Sequence, residues 1–183
     1  MKSTIKIQFK LEGICPILFD RFHGLKQPKS DDAWREQAIE KLYLNENNEI
    51  CIPANAIKKC LLLGCFDLAA KKEAKNKVAN DIRVGLFFEE DLISIHKTKD
   101  QIDEIQSDIV KRPGSRGGVW NRVTVFRPRV NKWSIESIMI IYPDIINPVT
   151  IKNGLAYAGI RRGLLGYRPE YGRFIVEKFE VMQ

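Results

Sequence analysis

The two ends of the chain alternate. Residues 4–12, TIKIQFKLE, put Ile5, Ile7, Phe9 and Leu11 on one side and Lys6, Gln8 and Lys10 on the other, the period of two expected of a strand with one buried face. The last apolar stretch, RFIVEKFEV at 173–181, alternates in the same way. Two terminal strands that each offer one apolar face require a sheet with another layer packed on it.

Helical spacing between them supplies that layer. After a short strand at Ile50–Ile52 and a turn at Pro53, Ile57, Leu61, Cys65 and Leu68 recur at intervals of four, four and three, one apolar stripe of a core helix. A second helix opens with Asn147 as cap and Pro148 at its first position, and Ile151, Leu155 and Ala158 share a face. The lysine-rich run to Lys77 reads as a solvated face. Residues 84–96, VGLFFEEDLISIH, read as one or two short strands, whereas KTKDQIDEIQSD has no clear pattern. Val123 and Val125 alternate with Arg122 and Thr124, and Trp133–Tyr142 is a further apolar run. With Asn131 and Lys132 between them as a tight turn, these two runs are expected to pair as a hairpin.

The order strand, helix, hairpin, helix, strand predicts an α+β chain with a ferredoxin-like, or RNA-recognition-motif, βαββαβ core. A single domain over 1–183 is expected, with an inserted helix and β-hairpin in insertions near 20–48 and 97–120. Ser30–Asp32 caps the inserted helix, in which Trp34, Ala38 and Leu42 repeat. The sheet face away from the helices is then covered by insertions, left to solvent, or used for a partner, as in RNA-recognition domains.

Composition bears on partners. Thirty Lys and Arg against 23 Asp and Glu give +7 and a basic chain, which favours nucleic acid over a membrane surface. The N-terminus lacks a long apolar run, so a cytoplasmic protein without a membrane partner is expected. Cys15, Cys51, Cys60 and Cys65 form no C-x-x-C pair and the chain has 2 His; the thiols are expected reduced and mostly buried, with no metal and no cofactor. There is no phosphate-binding P-loop and no pair of catalytic carboxylates.

One loop carries the densest chemistry. RRGLLGYRPEYGRFIV sets Gly163, Gly166 and Gly172 among Arg161, Arg162, Arg168, Arg173, Tyr167 and Tyr171. A helix end followed by a tight turn explains one or two of the glycines. The alternative is a loop whose bare backbone admits a phosphate chain, with guanidinium groups to neutralise it and rings to stack on bases. Arg161 and Arg162 also suit a helix C-terminus, and Tyr167 and Tyr171 equally suit packing on the sheet edge. Arg122, Arg127 and Arg129 mark one strand as basic, either a binding surface or a solvated face. Trp120, Trp133 and His96 read as structural.

Two of these segments resemble the RAMP superfamily, the repeat-associated proteins of CRISPR effector complexes. ICIPANAIKKCLLL looks like a variant of the YIPGSSLKG segment that precedes an arginine-bearing helix in that superfamily. Gly166, five residues including Arg168, and Gly172 resemble the core of its C-terminal glycine-rich loop, although GLLG replaces a tight glycine pair. The resemblance implies a non-catalytic RNA-binding subunit of an antiviral ribonucleoprotein, closest to the backbone subunits. Its partners would be single-stranded guide RNA and copies of itself or related effector subunits. It also implies that Asn55, Lys58 and Lys59 face the RNA backbone at a helix start, and that the hairpin led by KRPGSRGG is a flexible thumb. Two alternatives follow: a RAMP-like metal-independent endoribonuclease using His23 or Asp20, and a virus-encoded module that mimics a backbone subunit. Against the nuclease, His23 lacks a visible second acid or base and Asp20 beside Arg21 reads as an ion pair.

Overall fold

The computed structural model describes residues 3–24, 30–69, 72–113 and 120–182. The N-terminal alternation becomes β1 (Ile5–Gly13), with Ile7, Phe9 and Leu11 fully buried; each such side chain stabilises the fold by about 1.5–3 kcal/mol. Then follow β2 (Ile17–Leu18), α1 (Asp31–Gln37) and β3 (Glu49–Pro53). The core helix α2 (Ala54–Leu68) is succeeded by α3 (Lys72–Gly85), β4 (Leu86–Phe88), β5 (Leu92–Thr98), β6 (Glu104–Pro113), β7 (Trp120–Val130), β8 (Ser134–Ile141), α4 (Pro148–Arg161) and β9 (Phe174–Val181).

Four strands form one antiparallel sheet in the order β4-β8-β1-β9. With helices linking β1 to β4 and β8 to β9, this is the ferredoxin-like βαββαβ arrangement. The inward residues of β1 face Ile135, Ser137 and Met139 of β8 in register, and Ile57, Leu61, Ile151, Leu155 and Ala158 close the core over them. Asn147 caps α4 by accepting from the Val149 amide at 2.8 Å.

α2 and α4 touch backbone to backbone. A Cβ at Gly64 would overlap the Gly154 carbonyl oxygen, and one at Gly154 would overlap Cys65 Sγ, so the pair of glycines sets the helix spacing. Cys65 and Cys51 are buried thiols pushed up to about 11, and Cys60 one pushed up to about 12, all chiefly by desolvation. Leu68, expected in the core stripe, is exposed at the last turn of α2.

The expected hairpin is corrected. β7 and β8 are consecutive but unpaired: β8 lies between β1 and β4, whereas β7 lies between β2 and β6 in a second, three-stranded sheet. The turn at Asn131 and Lys132 therefore passes the chain from one sheet to another. The real hairpin is β6 with β7, registered from Glu104 opposite Arg129 to Pro113 opposite Trp120. β6 is built from the unpatterned KTKDQIDEIQSD region and onward. The lysine-rich run opens α3 and keeps Lys77 exposed, and the helix buries Ala79 and Ile82 only beyond it. Ser30 caps α1 through the Ala33 amide at 3.3 Å, and Arg35 lies over the Phe126 ring at 5.5 Å, fastening this helix to β7.

The outward face of the main sheet is a lattice of opposite charges. Lys10 pairs with Glu177 at 2.7 Å, Lys178 donates to Gln8 at 2.7 Å and Gln8 to Glu136 at 2.7 Å. The outward residues of the central strands are Lys6, Gln8, Lys10 and Glu12 on β1 and Ser134, Glu136, Ile138 and Ile140 on β8. None is aromatic, so these two strands do not carry the stacking residues of an RNA-recognition domain.

Candidate nucleic-acid interface

The glycine-rich loop is folded back on the start of the chain. At the end of α4 the Ala158 carbonyl accepts from the amides of Arg162 at 2.8 Å and Gly163 at 3.0 Å. Leu164 is then fully buried, and its amide donates to the Gly172 carbonyl at 2.9 Å. The Gly166 amide donates to Leu18 O at 3.0 Å and the Gly172 amide to Pro16 O at 2.8 Å. Gly172 has φ +73° and a Cβ there would overlap the Leu164 carbonyl oxygen. The Gly166 and Gly172 amides are thus satisfied internally, and Gly172 shapes the turn.

What the loop does present is side chains. Ala56, Lys59 and Leu63 lie at helical spacing along the outward side of α2, and this stripe lines a depression together with Leu62, Leu165 and Arg168. An adjoining depression is lined by Leu63, Arg161, Arg162, Leu165, Tyr167, Arg168 and Pro169. A third holds Ile160, Arg161, Pro169, Glu170 and Arg173. Lys59 and the sequence-distant Arg161 and Arg168 thereby edge adjoining depressions that share Leu63, Leu165 and Arg168 and form one groove. Arg162 borders it in a forked pair with Asp67, Nε at 2.8 Å and Nη2 at 2.5 Å. That hydrogen bond holds the Asp67 carboxyl below its ordinary range and raises Arg162. Tyr167 meets Tyr171 edge to face with ring centroids 6.1 Å apart.

Other expected contacts lie elsewhere. Arg127 is 7% exposed: its Nε donates to Asp20 at 2.9 Å, its Nη1 to Asp108 at 3.4 Å, and it sits 5.8 Å from the Tyr167 ring centroid. It is an internal cation and not a surface one. Lys58 turns away from the groove to donate to Leu86 O at 2.6 Å and Arg83 O at 3.2 Å, and desolvation lowers its pKa. Arg129 pairs with Glu104 at 2.5 Å. Arg122 is exposed on β7, and Asn55 is exposed on the first turn of α2. Tyr171 accepts from Gln106 Nε2 at 2.8 Å, a packing role.

Asp20 does not pair with Arg21, whose guanidinium donates to Leu42 O at 3.3 Å. Its partners are Arg127 and Lys41, the latter at 3.2 Å. Lys41, Asp108 and Gln106 were not legible as site residues: each sits in polar sequence and only the fold gathers them. His23 is half-buried and His96 exposed. Trp133 is buried and donates to Cys15 O at 2.9 Å; the side chain of Trp120 and the centre of KRPGSRGG lie outside the described residues. No helix of the described residues is long and apolar enough to cross a membrane.

No family model and no curated protein matches the chain. Among solved structures, the chain is similar to the crystal structure of Cmr6 from Pyrococcus furiosus, with 11% identity, 96% of this chain and 100% of that chain covered, and a TM-score of 0.49.

Proposed function

We propose that this chain is a non-catalytic RNA-binding subunit of a RAMP-type ribonucleoprotein complex, holding single-stranded RNA by its backbone along the groove between α2 and the 163–173 loop. One observation carries the reading. The two segments that resemble the superfamily, one near residue 55 and one near residue 168, line the same depression, with Lys59 and Arg168 both on it. Three cations on a groove whose neighbours are leucines suit phosphates in a row, because guanidinium and ammonium groups neutralise them while the apolar wall excludes water. The charge of +7 adds long-range attraction. Assembly with copies of itself or related subunits is part of the same reading.

The test is the salt dependence of affinity for an unstructured RNA. A steep linear fall of log affinity with log salt is expected, with little sequence preference. Arg161→Ala, Arg168→Ala and Lys59→Ala should each lower the slope by about 0.7 for every phosphate left without its cation. Arg122→Ala, on β7 and not in the lining of these depressions, serves as the comparison. A flat salt dependence, or slopes unchanged in all three groove variants, overturns the proposal.

A further inference from the structure

We propose that the free edge of β9 pairs with β9 of a second copy of this chain, in an antiparallel two-fold arrangement that joins the two main sheets into one. The pairing stands apart from the groove: it uses none of the cations Lys59, Arg161 and Arg168 and needs no RNA. The main sheet ends at β4 and β9. The Met182 amide donates to Lys6 O at 2.8 Å, and Gln8 and Lys10 stand opposite Glu180 and Lys178. In an antiparallel ladder the bonding direction alternates along the strand, so the backbone groups of Phe179 and Val181 point away from β1. Among the described residues, neither has a backbone partner on that side. An edge of this kind is a template for another strand.

The other edges resist such pairing. β4 has 3 residues; Gly85 and Glu89 on either side of it bond to the β8 segment, which leaves Leu86 facing the edge, and the Leu86 carbonyl is taken by Lys58 Nζ at 2.6 Å. β2 is covered by the loop, whose Gly166 amide takes Leu18 O. β5 is interrupted at His96, whose φ of +56° breaks the extended backbone. β6 ends on Lys111, Arg112 and Pro113, the kinds of residue that blunt an edge. Among the described strands β9 therefore offers the open run, and the strand it meets in a second copy is β9 itself. A surface that meets its own copy gives a closed pair and not a growing filament.

Charge sets the register and identifies the occupant. Centred on Phe179, the pairing puts Lys178 of each copy opposite Glu180 of the other on the outward face, and Phe179 opposite Phe179 on the inward face. Opposite charges and aromatic pairs directly across a ladder are stabilising. Because edge-facing residues must meet edge-facing residues, the neighbouring registers are two residues away. One of them sets Glu180 against Glu180 and the other Lys178 against Lys178, like charges that disfavour both. The helix layer adds apolar contact. On α4, Gly154 and Ala158 meet α2 and Gly159 meets Phe174 of β9, which leaves Val149 and Ile160, 61% and 53% exposed, on the outer side. The two-fold brings this side of α4 toward its copy. One short strand and one helix side make an interface at or below about 1,200 Å², so the dimer is reversible.

Sedimentation velocity of the full chain without RNA, at protein concentrations up to about 1 mM, tests the pairing. The wild type should show a concentration-dependent monomer and dimer. Lys178→Glu sets Glu against Glu at both cross-strand pairs and should weaken the dimer about tenfold, and Glu180→Lys, which sets Lys against Lys, should do the same. An equimolar mixture of these two variants should associate about as well as the wild type, because each copy then presents one sign to the opposite sign on the other. Recovery in the mixture also shows that both variants are folded. Val181→Pro removes an edge-facing amide while leaving the β1 ladder intact, and should weaken the dimer as well. A wild type that stays monomeric throughout, a dimer indifferent to all three substitutions, or a mixture no better than its components overturns the pairing. With no RNA present, these outcomes leave the groove proposal untouched, just as a flat salt dependence of RNA binding would leave the pairing standing.

Discussion

Arg127 Nε donates to Asp20 Oδ2 at 2.9 Å across 107 residues of sequence, and this pair ties a buried guanidinium to a carboxylate at the edge of solvent. Asp20 also receives Lys41, which is 6% exposed and donates to Phe126 O at 2.8 Å. Arg127 reaches Asp108, Asp108 accepts from Gln106, and Gln106 reaches Tyr171 of the glycine-rich loop. The cluster therefore fastens the β2 segment, the β6–β7 hairpin and the loop to one another. It works through charges that satisfy each other and leave none for an RNA phosphate.

Arg127→Ala should destabilise the protein by about 1–3 kcal/mol, because Asp108 and Asp20 lose a buried donor. The midpoint of urea unfolding measures this. Arg127→Ala with Asp20→Asn should recover part of the loss, since one of the unpaired charges is then gone. The salt slope of RNA binding per folded molecule should match wild type in both.

Gly172→Ala should lower stability by roughly 1 kcal/mol or more, since alanine is strained at φ +73° and its Cβ meets the Leu164 carbonyl. RNA affinity per folded molecule should stay unchanged. Melting temperature and affinity measured on one preparation decide between a glycine that shapes the turn and one that admits phosphate. Reduced affinity with an unchanged melting temperature would restore the bare-backbone reading.

The core elements were legible because each carries its period in a short window. Phe9 and Leu11 alternate within β1, Ile57 and Leu61 repeat within α2, and Asn147 with Pro148 announces α4. The pairing of β7 was not legible. Its alternation is compatible with either neighbour, and the choice of β6 over β8 is made by long-range register, with Phe126 against α1 and Arg127 against Asp20. The groove was half legible: Arg161, Arg168 and Lys59 stand out as cations, but their convergence depends on the glycine contact that sets α2 against α4. Arg127 reads in sequence like Arg122 and Arg129, and burial alone distinguishes it.

The thiols give a prediction independent of RNA. Cys60, pushed up to about 12 by desolvation, donates to Gly163 O at 3.2 Å, so it stays a thiol at pH 8. Alkylation of the native protein followed by mass spectrometry should label the half-buried Cys15 first and spare Cys51, Cys60 and Cys65 until the protein unfolds. The folded state holds these thiols neutral, so stability should be unaffected below pH 9 and should fall between pH 9 and about 12 as the unfolded chain ionises. Early labelling of Cys60 would mean that α4 and the loop open readily in the native state.

The last prediction concerns cleavage. A general base in RNA hydrolysis must accept a proton at the moment of attack, and Asp20 is poorly suited because Arg127 and Lys41 occupy its two oxygens at 2.9 and 3.2 Å. Asp20→Asn should therefore lower stability, by loss of the ion pairs, without changing the fate of labelled RNA incubated with excess protein, with or without magnesium. His23→Ala should leave the RNA intact as well. Cleavage by the wild type that disappears in Asp20→Asn while the protein remains folded would assign the carboxylate to chemistry and replace the binding subunit with a nuclease. Cleavage that persists in both variants would point to a contaminant or to another residue, and the groove variants Arg161→Ala and Arg168→Ala separate these two, since only activity of this chain depends on RNA held there.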